Sequence, residues 1–145
     1  DPGYPPGEMR GLLMSETRVH LKFERQFEGV LEAEGAQAPI GKKTEGCLAP
    51  YDLLLGALGS CYYATFVGLA DKMRLAYSRA DIAIHGVKRE EVPATLKTVD
   101  MVLTIHGASE GKGFQRAAEL AAKYCSVHET IARVAEIRLE VVFEA

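Results

Sequence analysis

The residues best suited to chemistry in this chain are three cysteines, Cys47, Cys61 and Cys125. Cys61 lies inside "LLLGALGSCYYATFVGLA", an uncharged run of 18 residues from Leu53 to Ala70. Three readings are open for that run. Its length permits a membrane span. It could be a core helix whose thiol only fills space, because free cysteine is among the most buried residue types. Or it could be a helix that holds a reactive thiol. Cys125 ends a second apolar stripe, Phe114, Ala117, Ala118, Ala121, Ala122 and Cys125, spaced as one face of a helix. Two thiols on the buried faces of two helices suggest more than either alone. If folding brings them together, one can attack an oxidant and the other can close a disulfide on it.

The remaining candidates carry less. Cys47 lies in a loop shortly before Pro50 and reads as an incidental thiol. Cys125 and His128 form C-x-x-H, which could place two metal ligands on one helical face. Zinc needs four ligands, or three and a water. His85 and His106 sit on expected strands and supply no second paired motif, so no metal is expected. His128 is expected to cap or flank the second cysteine and to tune it. No phosphate loop and no G-x-S-x-G is present.

The elements that must position these residues can be read from periodicity. Val19, Leu21 and Phe23 alternate with Arg18, His20, Lys22 and Glu24, which predicts a half-buried strand. A second strand over 27–33 completes a hairpin, and a short strand is expected at 38–41. Pro50 suits the first turn of a helix and Asp52 its positive end, so a long helix is predicted over 50–73. Strands follow at 81–88, with Ile82, Ile84 and Gly86 on one side, and at 96–106, with Val99, Met101, Leu103 and Ile105. The alanine-rich helix is followed by a short helix over 127–134 and a last strand over 136–144. This order is α+β, with an antiparallel-rich sheet covered by helices on one side.

Composition narrows the function classes. The chain has 145 residues and a net charge of -3, with 48% hydrophobic and 26% charged residues. That is an ordinary single domain, with no basic cluster of the kind that nucleic-acid binding needs. Residues 1–13, rich in proline and glycine, are expected to be a disordered arm or an added remnant, and 14–145 one domain. No signal peptide is seen. The odd, sparse cysteines point away from a secreted disulfide scaffold and toward a cytoplasmic location. Asp52 and Asp71 bound the uncharged run directly, and the other elements are half-buried amphipathic pieces, so no membrane span is expected. Gly56, Ser60, Ala64 and Gly68 recur on one face of the helix. Such a face lets another backbone approach closely, as at the centre of a dimer.

Two stretches, "PYDLLLGALGSC" and "AAKYCSVHETI", carry a family resemblance. The first is similar to the "P-x-E-L-L-x-A-A-x-x-x-C" helix, and the second to the "C-P-V-H" helix start, of the OsmC/Ohr family. That family comprises osmotically inducible protein C and the organic hydroperoxide resistance proteins. The likeness runs over about residues 17–145. It implies an intertwined, swapped α+β homodimer with long central helices flanked by sheets. It also implies a thiol-dependent peroxidase that reduces organic or lipid hydroperoxides to alcohols. Carried over by position, Cys61 would be the peroxidatic thiol and Cys125 the resolving thiol. A lipoyl-type or small dithiol would restore the pair, with no bound cofactor.

A thiolate in an apolar site needs something to lower its pKa. The resemblance implies an arginine from the N-terminal hairpin, for which Arg25 is the candidate by position, held by an acid ahead of the central helix. Tyr51 and Asp52 stand where the family glutamate is placed. Asp52 keeps the charge on a shorter arm, and either holds Arg25 or interacts with the helix N-terminus. Ser126 replaces a proline common in the second motif, and the "YDLLL" form resembles the OsmC-like subgroups. The other reading is a non-catalytic OsmC-like protein that binds a small apolar ligand or senses redox state. A structural dimer module with inert thiols is a third.

Overall fold

The computed structural model describes residues 16–43, 46–109 and 111–145. The arm expected at residues 1–13 lies outside the described residues. The chain divides into two compact units, one ending at Asp52 and the other Leu53–Ala145.

The first unit is a three-stranded antiparallel sheet in the order β1-β2-β3, with β1 His20–Phe23, β2 Glu28–Ala33 and β3 Ala36–Gly41. Strands β2 and β3 meet at a tight turn, where Gly35 takes a φ of 75 that glycine tolerates without strain. Pro39 sits on an edge strand of this sheet, the usual place for a residue that cannot donate a ladder hydrogen bond. The chain then returns beside β3, with Leu48 N–H on the Pro39 carbonyl at 2.9 Å and Gly41 N–H on the Leu48 carbonyl at 3.1 Å. The half-buried character expected for the first strand is not seen. All of β1 is exposed, and Leu21 and Phe23 are each more than two-fifths exposed. Alternation marks which face is apolar, but only a covering layer buries that face, and none of the described residues covers it.

The long helix α1, Pro50–Lys72, begins at the end of the first unit and runs into the second. The second unit then adds β4 Arg79–Lys88, β5 Leu96–His106, α2 Lys112–Tyr124, α3 Ser126–Ala132 and β6 Glu136–Glu144. Its sheet has the order β4-β5-β6. Strands β4 and β5 pair antiparallel, whereas β5 and β6 pair parallel. Parallel neighbours need a crossover, and α2 with α3 provides it. The core lies on the central strand and the helices. Val99, Met101, Leu103 and Ile105 of β5 are buried, as are Phe114, Ala117, Ala118 and Ala121 of α2. These are the faces that the alternation and the helical stripe predict.

Helix α1 ends in a Schellman motif. Arg74 takes the left-handed conformation (φ 57), its N–H bonds the Asp71 carbonyl at 3.1 Å, and Leu75 N–H bonds the Ala70 carbonyl at 2.9 Å. By length and composition α1 could cross a membrane, with a mean hydropathy of 1.6 over its most apolar window. One row of it, Leu58, Tyr62, Phe66 and Ala70, is buried. The small-residue face Gly56, Ser60, Ala64 and Gly68 is exposed. Among the described residues nothing lies within 4 Å of where a Cβ would stand on Gly56 or Gly68.

Candidate functional site

Cys61 sits in the middle of α1, beside the buried Leu58–Tyr62–Phe66 row, and is partly exposed. The row is anchored against its neighbours. The Tyr62 hydroxyl donates to the Ala118 carbonyl of α2 at 2.9 Å. Bordering the same row, a Cβ on Gly59 would lie 3.1 Å from Ile84 of β4, so the helix backbone approaches the sheet closely there. Aromatic contacts then run from Phe66 to Tyr77, from Tyr77 to Phe114 and from Phe114 to Phe143, tying α1 to α2 and β6.

Cys125 is fully buried, but it is not the last residue of the helical stripe, as the periodicity suggested. Its backbone is extended (φ -74, ψ 118), and it lies between two helices, as C-cap of α2 and N-cap of α3. Its N–H still bonds the Ala121 carbonyl at 2.9 Å. The break matters chemically. A helix start leaves its first backbone N–H groups without intrahelical partners, and here they meet the two sulfurs. His128 N–H donates to Cys125 Sγ at 3.4 Å, so the cysteine side chain caps α3 through the backbone of His128. Burial lowers the pKa of the His128 imidazole and favours its neutral form. Ser126 Oγ lies 3.8 Å from Cys61 Sγ.

The two thiols, both free, are driven apart in protonation. Cys61 is pushed down. The Val127 backbone N–H contributes most, opposed by desolvation, with further help from the Cys125 thiol and from the hydroxyl and N–H of Ser126. Cys125 is pushed up, first by burial, which outweighs the His128 N–H, and further by the neighbouring Cys61. A pair of titratable groups separated in this way supports one nucleophile and one proton-bearing partner. All of these groups belong to the second unit.

Arg25 lies in the exposed bend between β1 and β2 and has no ion-pair partner among the described residues. Asp52 Oδ2 accepts the Ala49 N–H at 2.8 Å, across the start of α1. Cys47 is partly exposed beside a cavity of about 300 Å³ lined by Gln26, Phe27, Glu28, Gly41 and Lys42. His85 is exposed on β4, and His106 is flanked by Asp81 at 2.7 Å and Glu144 at 3.4 Å. Among the described residues no group of three histidines, cysteines or carboxylates is gathered to hold a metal ion.

The residue pattern points to a cation for the thiolate and does not show the backbone donors. The signal available for them was "CSV" at a helix start, a cysteine followed at once by residues with free N–H groups.

A family model described as OsmC-like protein matches residues 41–140, which include both cysteines and the elements that carry them. The chain belongs to the OsmC-like family. Solved structures agree with this fold. A hypothetical protein from Aquifex aeolicus VF5 is 25% identical, with 90% of this chain and 98% of that chain covered and a TM-score of 0.77. An OsmC-like protein from Mycoplasma pneumoniae is 14% identical over 90% of this chain and 98% of that one, with a TM-score of 0.81. The organic hydroperoxide resistance protein OhrB of Bacillus subtilis is 13% identical over 87% and 97%, with a TM-score of 0.62. No curated protein matches the chain. The mixed α+β architecture is thus the one shared by OsmC-like structures.

Proposed function

We propose that this OsmC-like protein is a thiol-dependent peroxidase that reduces organic or lipid hydroperoxides to alcohols. The observation that carries the reading is the Cys61–Cys125 pair, two free thiols with opposite protonation preferences. The Cys61 thiolate attacks the terminal peroxide oxygen and the O–O bond breaks. The alkoxide leaves with the bonding pair and takes a proton to become the alcohol, while Cys61 becomes a sulfenic acid. Cys125 then attacks the Cys61 sulfur after losing its own proton. Hydroxide leaves, is protonated to water, and a disulfide forms. An external dithiol, lipoyl-type or small, reduces the disulfide by two electrons, and no resident cofactor is needed.

In this reading Arg25 is the cation that favours the thiolate and Asp52 the acid that orients it, both assigned by resemblance. The working form is a homodimer. The exposed apolar β1 strand and the open Gly56–Ser60–Ala64–Gly68 face of α1 support it, since both are surfaces that a second copy would cover.

Turnover of cumene hydroperoxide with a dithiol reductant tests the reading. Wild type should consume the peroxide and Cys61→Ser should not. Cys125→Ser should react once and accumulate oxidised Cys61. Equal turnover by Cys61→Ser and wild type would sink the proposal. One observation favours a second reading, a redox-sensing or ligand-binding protein: Asp52 is engaged by Ala49 and Arg25 has no ion-pair partner among the described residues. That reading expects negligible turnover and a Cys61 alkylation midpoint near the free-thiol value of about 8.5.

A further inference from the structure

Ser126 follows Cys125 in the chain, yet its hydroxyl faces the other cysteine, with Oγ 3.8 Å from Cys61 Sγ. Two neighbouring polar groups are committed elsewhere. The Ser126 carbonyl accepts the Thr130 hydroxyl at 2.9 Å, which closes the first turn of α3. The Cys125 sulfur takes the His128 N–H at 3.4 Å. The Cys61 sulfur therefore has a side-chain hydroxyl beside it in addition to the backbone N–H groups of Val127 and Ser126. A thiolate has no hydrogen to give, so whenever Cys61 is ionised the hydroxyl must be the donor. A hydrogen bond to an ionised acceptor is stronger than one between neutral groups.

We propose that Ser126 is a further catalytic residue, whose hydroxyl donates to the Cys61 sulfur and helps to hold it as an anion. The proposal deepens the peroxidase reading and rests on it for the reaction, but not for the state of the sulfur. It also has a kinetic consequence. A donor that stabilises a thiolate lowers its pKa and weakens its intrinsic nucleophilicity by a fraction of the same change, with a Brønsted coefficient of about 0.4–0.5. Ser126 thus raises the amount of thiolate near neutrality while making each thiolate slightly less reactive. A residue with a purely structural role would not produce that combination.

The test is the pH–rate profile of Cys61 alkylation by iodoacetamide in the full-length protein, with Cys61 separated from Cys47 and Cys125 by peptide mass spectrometry. Ser126→Ala removes the hydroxyl and keeps the backbone N–H. Its Cys61 midpoint should rise by about half a pH unit, the size expected from one exposed hydrogen bond. Below both midpoints alkylation should be about twofold slower than in wild type, and above both it should be about twofold faster, so the profiles cross. Ser126→Thr, which keeps a hydroxyl, should restore the wild-type midpoint. An unchanged midpoint in Ser126→Ala, or a threonine variant no different from alanine, overturns the proposal. Because the readout is alkylation, a shifted midpoint in a protein that does not turn over peroxide would reject the peroxidase reading and leave the role of Ser126 at the sulfur standing.

Discussion

A hydrogen bond from the Tyr62 hydroxyl ties the Cys61 helix to α2, and Tyr62→Phe removes that bond alone. Tyr62 is fully buried and donates to the Ala118 carbonyl at 2.9 Å. Ala118 lies inside α2, where its carbonyl also accepts the N–H four residues on, so the variant leaves no orphaned acceptor. The phenylalanine ring keeps the apolar contacts, including the stack on Phe66. The loss should therefore be that of one net hydrogen bond, about 1 kcal/mol, and not the ~3–5 kcal/mol of deleting a buried ring.

Urea unfolding gives the magnitude, read from the midpoint at an unchanged slope. A second signature lies at high pH. Burial raises the Tyr62 phenol above its ordinary value of 10.0. Above that pH the unfolded chain releases the phenolic proton while the folded chain retains it. The contribution is whole below pH 10 and is lost as pH rises beyond it. Wild type should lose stability above pH 10 more steeply than Tyr62→Phe, with Tyr77, raised chiefly by burial and then by the Tyr63 hydroxyl, accounting for part of what remains. If the variant unfolds at the wild-type urea midpoint and shows the same alkaline slope, the hydroxyl contributes nothing and the reasoning fails. A loss above about 3 kcal/mol would refute it from the other side, since one neutral hydrogen bond cannot supply that much.

Other perturbations follow from the same geometry. Phe114→Ala deletes a fully buried ring that contacts Tyr77 and Phe143, and should cost about 3–5 kcal/mol in urea unfolding; a loss below 1 kcal/mol would mean the aromatic row is not core. In Gly29→Ala the new methyl group would collide with the Lys22 carbonyl oxygen, so β1 should separate from β2 and its amides exchange faster with deuterium, while exchange in β5 stays as in wild type. Asp52→Ala removes the acceptor of the Ala49 N–H and should cost about 1 kcal/mol of stability. Asp52→Asn keeps an acceptor but not the charge. It should remain near wild type in stability and lose peroxide turnover, whereas unchanged turnover would assign Asp52 to the helix start alone.

Much of the architecture was legible in the residues. The alternation of Val99, Met101, Leu103 and Ile105 and the stripe from Phe114 to Ala121 are periodic signals, and periodicity is a local property that folding does not alter. The family motifs around Cys61 and Cys125 were legible for the same reason, being short runs on single elements. Other features depended on groups far apart in the chain. That β6 pairs parallel with β5 could not be read from its alternation, because a half-buried strand looks alike in either direction. The exposure of β1 likewise depends on what covers it, and no strand's own pattern states that.

The sequence by itself determined where the two thiols sit in the order of elements, Cys61 within the long apolar helix and Cys125 at the end of the alanine-rich stripe. Only the tertiary structure decided their chemical inequality. It broke the helix at Cys125, set the start of the next helix beside Cys61, with Ser126 Oγ 3.8 Å from its sulfur, and left Cys125 fully buried. The physical reason is that a thiol's pKa is set by the donors and solvent around its sulfur. For Cys61 those donors come from residues more than sixty positions away.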